Sequence, residues 1–148
     1  MKNVKAEEGE KLQQVLAELN EYQQTAEILR QQLSALATSM TELSITVGAI
    51  KVIKDLKLDT EIMVPIGCDS FIAAKLAKAD KVIMGLGANI AAERSSEDAI
   101  KTLEARIAEV EQAMNKARED LNKLEELIET LRPEAERMIE KERGALKQ

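Results

Sequence analysis

Apolar residues recur every three or four positions along two long stretches, one toward each end of the chain, and this spacing constrains the fold most strongly. Alternating steps of three and four keep the apolar side chains on one helix face, as in a coiled coil. The first stretch is interpreted as the seam Leu12, Leu16, Leu19, Tyr22, Ala26, Leu29, Leu33, Leu36, Met40, Leu43, Val47 and Ile50. The second has the seam Ile100, Leu103, Ile107, Val110, Met114, Ala117, Leu121, Leu124, Ile128, Leu131, Ala135 and Met138. The sequence therefore predicts two long helices with one narrow apolar stripe each.

The first seam is expected to contain one fault. Leu16, Leu19 and Tyr22 follow each other in two steps of three, so the coiled-coil register should slip there. Val15 then falls outside the seam. The second seam runs without a break, although Pro133 should kink that helix or end its regular part, because proline lacks the backbone N–H that a helix uses.

The second helix should begin at Ser95 or Ser96, either of which could cap its N-terminus. Neither helix could bury its stripe alone, and its simplest partner is the other helix, folded back in antiparallel fashion. A parallel coiled coil between two chains is the competing arrangement. The segment between the helices favours the hairpin, because it is long enough to reverse the chain direction.

Between the helices, over about residues 59–94, the chain changes to β character. Short runs rich in β-branched residues are separated by glycine-containing turns, which indicates two hairpins. The predicted strands are residues 61–65, 71–76, 81–84 and 89–93, with turns at residues 67–70 and 85–87. Two hairpins of this size are too small to be stable alone, so they should pair with other chains. The residues expected at this oligomer interface are Ile62, Val64, Ile66, Phe71, Ile72, Val82, Ile83, Met84 and Ile90.

Together these elements predict one α+β domain over residues 1–148. It is a long antiparallel two-helix coiled-coil hairpin with a central pair of β-hairpins that forms an oligomerisation platform. The helices should occupy about residues 7–56 and 96–143, and the two hairpins about residues 59–94. Aromatic residues make up 1% of the chain and charged residues 32%, which is typical of long helices rather than of a thick core.

Charge and composition restrict the partners. The formal net charge is −6 at pH 7, and the chain contains no dense Lys/Arg run. A nucleic-acid partner is therefore not expected, because phosphate binding needs a basic face. No apolar run approaches the roughly 18 residues that span a bilayer, and the polar N-terminus shows no signal peptide, so no membrane partner is expected. Cys68 is the only cysteine, which suits a cytoplasmic location.

Catalytic chemistry is not expected. The chain has no histidine and one cysteine, which removes the commonest general base and any Cys-type zinc site. The run Gly85-Leu-Gly87 starts like a dinucleotide-binding motif, but it lies between strands and lacks the third glycine. No phosphate-binding GxxxxGK[ST] loop is present. The prediction is a protein that is not an enzyme and that uses no cofactor or metal.

Apolar residues outside the seams are the remaining candidates for function. One set, Val15 and Ile139 with Leu146 beyond the heptads, should lie at the free ends of the helices. These residues either complete the coiled-coil packing or contact a client protein. A second set near the end of the first helix should pack beneath the β segment, and it consists of Ile45, Val52 and Ile53.

The order of helix, two β-hairpins and helix resembles the α-class subunits of the prefoldin family. The resemblance rests on residues 64–67 and 70–73 in the first hairpin, residues 81–88 in the second, and the step Leu131-Arg-Pro133. It covers nearly the whole chain. The Glu/Lys-rich style is similar to that of archaeal members.

This resemblance implies an ATP-independent holdase with two α and four β subunits, whose hairpins form a platform that carries six coiled-coil arms. The arm tips would capture unfolded polypeptides and deliver them to a group II chaperonin. The residues expected at the tips are Leu12, Val15, Leu16, Leu19, Leu131, Met138 and Ile139. A structural homo-oligomer or filament former is the alternative function, and a coiled-coil arm of a larger enzyme is a further one.

Overall fold

The computed structural model describes residues 2–146, and in this range the predicted architecture is confirmed. In chain order, two long helices flank two separate two-stranded antiparallel sheets, β1 with β2 and β3 with β4. The elements are α1 (Lys2–Ile53), β1 (Glu61–Gly67), β2 (Ser70–Lys75), β3 (Lys81–Gly87), β4 (Ile90–Ser95) and α2 (Ser96–Leu146). Helix α1 ends three residues earlier than predicted, and α2 continues through Pro133 to Leu146, so the proline does not end it.

The chain divides into two compact units. The terminal unit contains the residues up to Ala37 together with those from Gln112 onward, and the central unit is Thr38–Glu111. The terminal unit is built from helix alone. The central unit holds both hairpins, the end of α1 and the beginning of α2.

In the terminal unit the two helix segments run antiparallel. Arg30 pairs with Glu125 at 3.3 Å and Lys141 pairs with Glu8 at 3.1 Å, so residue numbers rise along one helix as they fall along the other. Between the helices lie small and medium side chains, and Ala26, Ala117 and Ala135 are among the most buried residues. Alanine at these positions lets two helices approach closely with little side-chain volume between them.

The predicted slip in the first seam is wrong. The apolar residues of α1 that are buried or half-buried are Leu12, Val15, Leu19, Tyr22, Ala26, Leu29, Leu33, Leu36, Met40, Leu43, Val47 and Ile50. Their steps alternate between three and four without a break, because Val15 and not Leu16 fills the position between Leu12 and Leu19. Leu16 is 40% exposed. The sequence offered two adjacent apolar residues, and the continuous heptad selects the one that keeps the period.

The central unit has its own apolar cluster. Val47 and Ile50 of α1 pack with Met84 of β3 and with three residues of α2, namely Ala99, Ile100 and Leu103. Val82 packs against this cluster from the same strand as Met84. Hairpin 2 (β3 and β4) is therefore fixed to the helices by its own side chains. Burial of one such apolar side chain contributes roughly 1.5–3 kcal/mol.

Both hairpins turn through the same backbone geometry. Cys68 and Asp69 have positive φ angles of 47° and 57°, and Ala88 and Asn89 have φ angles of 51° and 60°. Two consecutive central residues with positive φ are the mark of the type I′ turn, whose twist matches that of the strands. The turn of hairpin 2 is therefore centred on Ala88 and Asn89, beyond the predicted residues 85–87.

The start of α2 resolves the choice between two serines. Ser95 Oγ accepts a hydrogen bond from the backbone N–H of Asp98 at 3.2 Å, which makes Ser95 the capping residue. Ser96 has another role: its hydroxyl donates to the carbonyl oxygen of Ala79 at 3.2 Å, and its N–H donates to the carbonyl oxygen of Asp80 at 2.9 Å. Ser96 is 4% exposed. Its two hydrogen bonds hold the segment before β3, which contains Ala79 and Asp80, beside the start of α2.

Helix α1 is more apolar on average than its sequence pattern suggested. It contains an 18-residue window with a mean hydropathy of 1.3, and 11% of that window is buried. By length and composition alone such a helix could cross a membrane, although the sequence contains no uninterrupted apolar run of about 18 residues. Serine, threonine and charged residues interrupt the window, and part of its apolar content faces away from the seam.

Candidate functional site

The two ends of the chain form a groove in the terminal unit. It has a volume of about 760 Å³, and we call it the arm-end groove. Met138, Ala145 and Leu146 supply its apolar surface. The charged groups around them are Lys5, Glu8, Lys11, Glu134, Lys141 and Glu142. A groove with an apolar floor and charges of both signs at its edge can accommodate apolar side chains of a polypeptide without requiring a particular sequence.

The residues predicted to bind clients are placed differently from one another. Leu12 is buried in the coiled coil at 8% exposure, and Leu16 is exposed. The others are half-buried, and they are Val15, Leu19, Leu131, Met138 and Ile139. Of this predicted set, Met138 lines the arm-end groove.

Three exposed apolar residues of the terminal unit were missed by the sequence interpretation. Val4 is 58% exposed, Ile28 54% and Leu127 44%. The signal that could have found them is an apolar residue outside the heptad seam, which is how Ile139 was identified. Leu146, which was singled out, is the most exposed of the large apolar residues and lines the groove.

The hairpins present a second apolar surface. In an antiparallel pair, directly opposite residues share a face, so each hairpin has an even-numbered and an odd-numbered face. On the even face of hairpin 1 (β1 and β2), Ile62 pairs with Ala74 and Val64 pairs with Ile72. On the odd face, Met63 pairs with Ala73 and Pro65 with Phe71. Both faces of hairpin 1 are therefore apolar, unlike a strand pair that turns one polar face to water.

Most residues predicted for oligomerisation are exposed in the single chain. Val64 is 37% exposed, and five others lie between 55% and 76%, namely Ile66, Phe71, Ile72, Ile83 and Ile90. Ile62 and Val82 are half-buried, and Met84 is buried. Met84 thus packs in the central cluster of its own chain. The exposed residues form an apolar surface that the chain itself does not bury.

The second off-seam set does not pack beneath the β segment of its own chain, as had been expected. Ile45 is 67% exposed, Val52 65% and Ile53 37%. The central cluster draws on Val47 and Ile50, which face the opposite side of α1. The expectation failed because Ile45 and Val52 lie on the opposite side of α1 from Val47 and Ile50. The two pairs therefore cannot face the same partner.

No group of three or more His, Cys, Asp or Glu side chains in residues 2–146 is placed to hold a metal ion. The described residues instead form two long helices separated in sequence by two β-hairpins, which carry exposed apolar side chains. A match to the family described as "Prefoldin subunit" covers residues 22–141. The chain belongs to the prefoldin family, which is a family of chaperones.

Relatives support this assignment over most of the chain. Prefoldin subunit alpha of Methanosphaera stadtmanae is 37% identical, over 93% of this chain and 98% of the relative. Prefoldin subunit alpha of Methanosarcina acetivorans is 30% identical, over 90% of this chain and 96% of the relative.

Solved structures agree. A filamentous prefoldin from Methanocaldococcus jannaschii has a TM-score of 0.67 at 28% identity, and the match covers 78% of this chain and 95% of that one. A prefoldin beta subunit from Thermococcus strain KS-1 shares the fold, with a TM-score of 0.55 at 19% identity over 84% and 89% of the two chains. The filament alternative is not favoured, because curated relatives that match nearly full length carry the name prefoldin subunit alpha.

Proposed function

We propose that this chain is the α-type subunit of an ATP-independent holdase that captures unfolded polypeptides at the ends of its coiled coil and delivers them to a group II chaperonin. The observation that carries the proposal is exposed apolar surface at both chain ends. Val4 and Leu146 are more than half exposed, and the arm-end groove lies between the two helix ends. Exposed Leu, Val and Met side chains suit contact with many different apolar segments.

Assembly is the second part of the proposal. Two copies of this chain join four β-class prefoldin subunits, and the hairpins form the shared platform. Hairpin 1 supports this, because both of its faces are apolar and its Phe71 is 55% exposed. Several arms on one platform raise the effective concentration of weak client sites, so each arm can bind weakly.

Neither catalysis nor nucleotide enters this function. The chain has no histidine, and the surfaces described above are apolar rather than focused on a titratable group. The net charge of −6 disfavours nucleic-acid binding. A cytoplasmic location fits the capture of newly made polypeptides. The apolar part of α1 is assigned to protein contacts rather than to a membrane.

The test compares two sets of exposed apolar residues in the assembled protein. The tip variant carries Val4→Ser, Leu16→Ser and Leu146→Ser, all at exposed positions, so helix formation and assembly should be retained. The control carries Ile28→Ser and Leu127→Ser, which remove exposed apolar area from the same unit away from the chain ends. Suppression of aggregation of guanidinium-unfolded citrate synthase is measured for both assemblies, with a β-class partner that has a serine-substituted tip.

We expect the tip variant to need several-fold more assembly for the same suppression of aggregation, and the control to behave like the original chain. Equal suppression by all three assemblies would place the client site elsewhere, for example on the platform. Loss of suppression in the control alone would move it to the Ile28 and Leu127 region.

A further inference from the structure

Helix α1 carries a second heptad stripe on the side away from its coiled-coil seam. The residues Thr38, Thr41, Ile45, Gly48 and Val52 follow each other in alternating steps of three and four, and all are exposed. We call them the outer stripe. Each lies about half a helical turn from the seam residues Leu43, Val47 and Ile50. Ile45 and Val52 are its large apolar members, and the other three residues are small and uncharged, so a second helix could approach closely along this stripe.

The chain's own β segment does not cover the outer stripe. Ile45 is 67% exposed and Val52 is 65% exposed, and the central cluster contains neither. This stretch belongs to the helix whose 18-residue window reaches a mean hydropathy of 1.3 with 11% of its residues buried. The corresponding back of α2 is different, because Lys101 and Glu109 flank Ala105 there. Within the described helices of the central unit, the exposed large apolar side chains therefore lie on α1.

The spacing and composition of the outer stripe identify the kind of partner. Steps of three and four fit the ridges and grooves of another helix, whereas an extended peptide would need a period of two. From Thr38 to Val52 the stripe contains no charged residue. Two copies of a chain with a net charge of −6 repel each other over most of their surface, but not across this stripe.

The stripe is also complementary to itself. Gly48 stands at its centre, with Ile45 three residues before and Val52 four residues after. A Cβ atom added at Gly48 would have no neighbour within 4 Å, so the notch is open. In a two-fold crossing at Gly48, the Ile45 and Val52 side chains of each copy fall beside the other copy's notch. Such reciprocity is the property of an isologous interface.

We infer that the outer stripe of α1 packs against the same stripe of a second copy of this chain, crossing near Gly48. This inference rests on the proposed function, because the hairpin assembly must first bring two copies together. A single helix crossing covers less than the roughly 1,200 Å² of a stable interface. It therefore acts as a second contact, which sets the angle between two arms, rather than as the contact that forms the oligomer.

The test uses disulfide formation inside the assembly. Cys68→Ser removes the native thiol, and Gly48→Cys then places one thiol at the proposed crossing, where the open notch accommodates it. Val52→Cys is a second variant in case the first disturbs the helix. Ala105→Cys, at an exposed position on the back of α2, is the matched control. The chains are assembled with a cysteine-free β-class partner, assembly is confirmed by native mass spectrometry, and oxidation is mild.

We expect Gly48→Cys or Val52→Cys to give most of the chain as a disulfide-linked pair, at least tenfold more than Ala105→Cys. Intact assemblies in which neither variant exceeds the control would overturn the inference and leave the proposed function standing. A chain that stays monomeric with its partner present would remove both. A photoreactive residue at position 52 that links to the β-class subunit or to a client would also overturn the inference, because it would name another occupant.

Discussion

Hairpin 1 and hairpin 2 have the same pairing register but different surroundings. Glu61 pairs with Lys75 as Lys81 pairs with Ser95, and every later pair of hairpin 2 lies twenty residues after its counterpart in hairpin 1. Both ladders shift register just before the glycine that starts the turn. Yet Met84 of hairpin 2 is 9% exposed, and Val64, its counterpart, is 37% exposed.

The difference shows that one backbone unit can serve two purposes when only its surroundings change. The even face of hairpin 2 is buried on the helices of its own chain, so that hairpin is part of the fold. Hairpin 1 presents two apolar faces and no comparable anchor in the central cluster, so it is suited to partners. A small domain thereby combines a fixed and an available β element without extra length.

The largest expected effect comes from placing a charge on the anchored face. Met84→Asp puts a carboxylate among Val47, Ile50 and Leu103, where no cation compensates it within the central cluster. We expect a loss of about 3 kcal/mol or more in the free energy of unfolding, measured by thermal and urea denaturation of the isolated chain. Val64→Asp, at the matching position of hairpin 1, should change that value by less than about 1 kcal/mol. Equal losses would mean that both hairpins are anchored alike.

The second prediction concerns the odd face of hairpin 1. Phe71→Lys replaces an exposed aromatic residue that sits opposite Pro65, and it should leave the unfolding of the isolated chain nearly unchanged. Assembly with a β-class subunit should weaken by tenfold or more, equivalent to about 1.4 kcal/mol, because aromatic residues dominate the energy of interfaces. Sedimentation over a concentration series measures this change. Lys75→Ala, an exposed polar position of the same face, is the control, and an effect equal to that of Phe71→Lys would argue against an aromatic anchor.

Much of the fold could be predicted from the sequence, because both helices repeat their apolar residues over many turns. The seam of α2 agrees at every position, and the strands differ by only a few residues at their ends. The error at Val15 and Leu16 was local. Two adjacent apolar residues both fit a helix, and only the continuous period on either side decides between them.

The candidate site was harder to predict, because the exposure of a side chain depends on which elements pack against it. Met84 and Val64 look equivalent in sequence, and only the contact with α1 and α2 separates their roles. Ile45 and Val52 were assigned to the underside of the β segment, although their spacing from Val47 already placed them on the other side of the helix. Applying the helical angle to these residues would have corrected that assignment.

The third prediction tests whether the shared turn geometry costs the same in both hairpins. Gly67 and Gly87 have φ angles of 112° and 91°, and a Cβ at either would have no neighbour within 4 Å. Replacement by alanine should therefore destabilise each hairpin by about 1–2 kcal/mol through backbone strain alone. Hydrogen exchange of the strand amides is the measurement. Gly85→Ala, at ordinary φ and also in open space, should be neutral or slightly stabilising; a loss there as large as at Gly87 would point to lost packing instead of strain.

The smallest expected effect concerns the ion pair beside hairpin 2. Lys78 Nζ lies 3.3 Å from Glu93 Oε1, with the two side chains 63% and 48% exposed, so water and salt screen their attraction. If apolar packing around Met84 holds hairpin 2, a double-mutant cycle of Lys78→Ala and Glu93→Ala should give a coupling below about 0.5 kcal/mol. Thermal unfolding at low and at high salt measures it. A coupling above about 1 kcal/mol would mean that the ion pair also stabilises hairpin 2 by joining the segment before β3 to β4, and the difference between the hairpins would then be electrostatic as well as apolar.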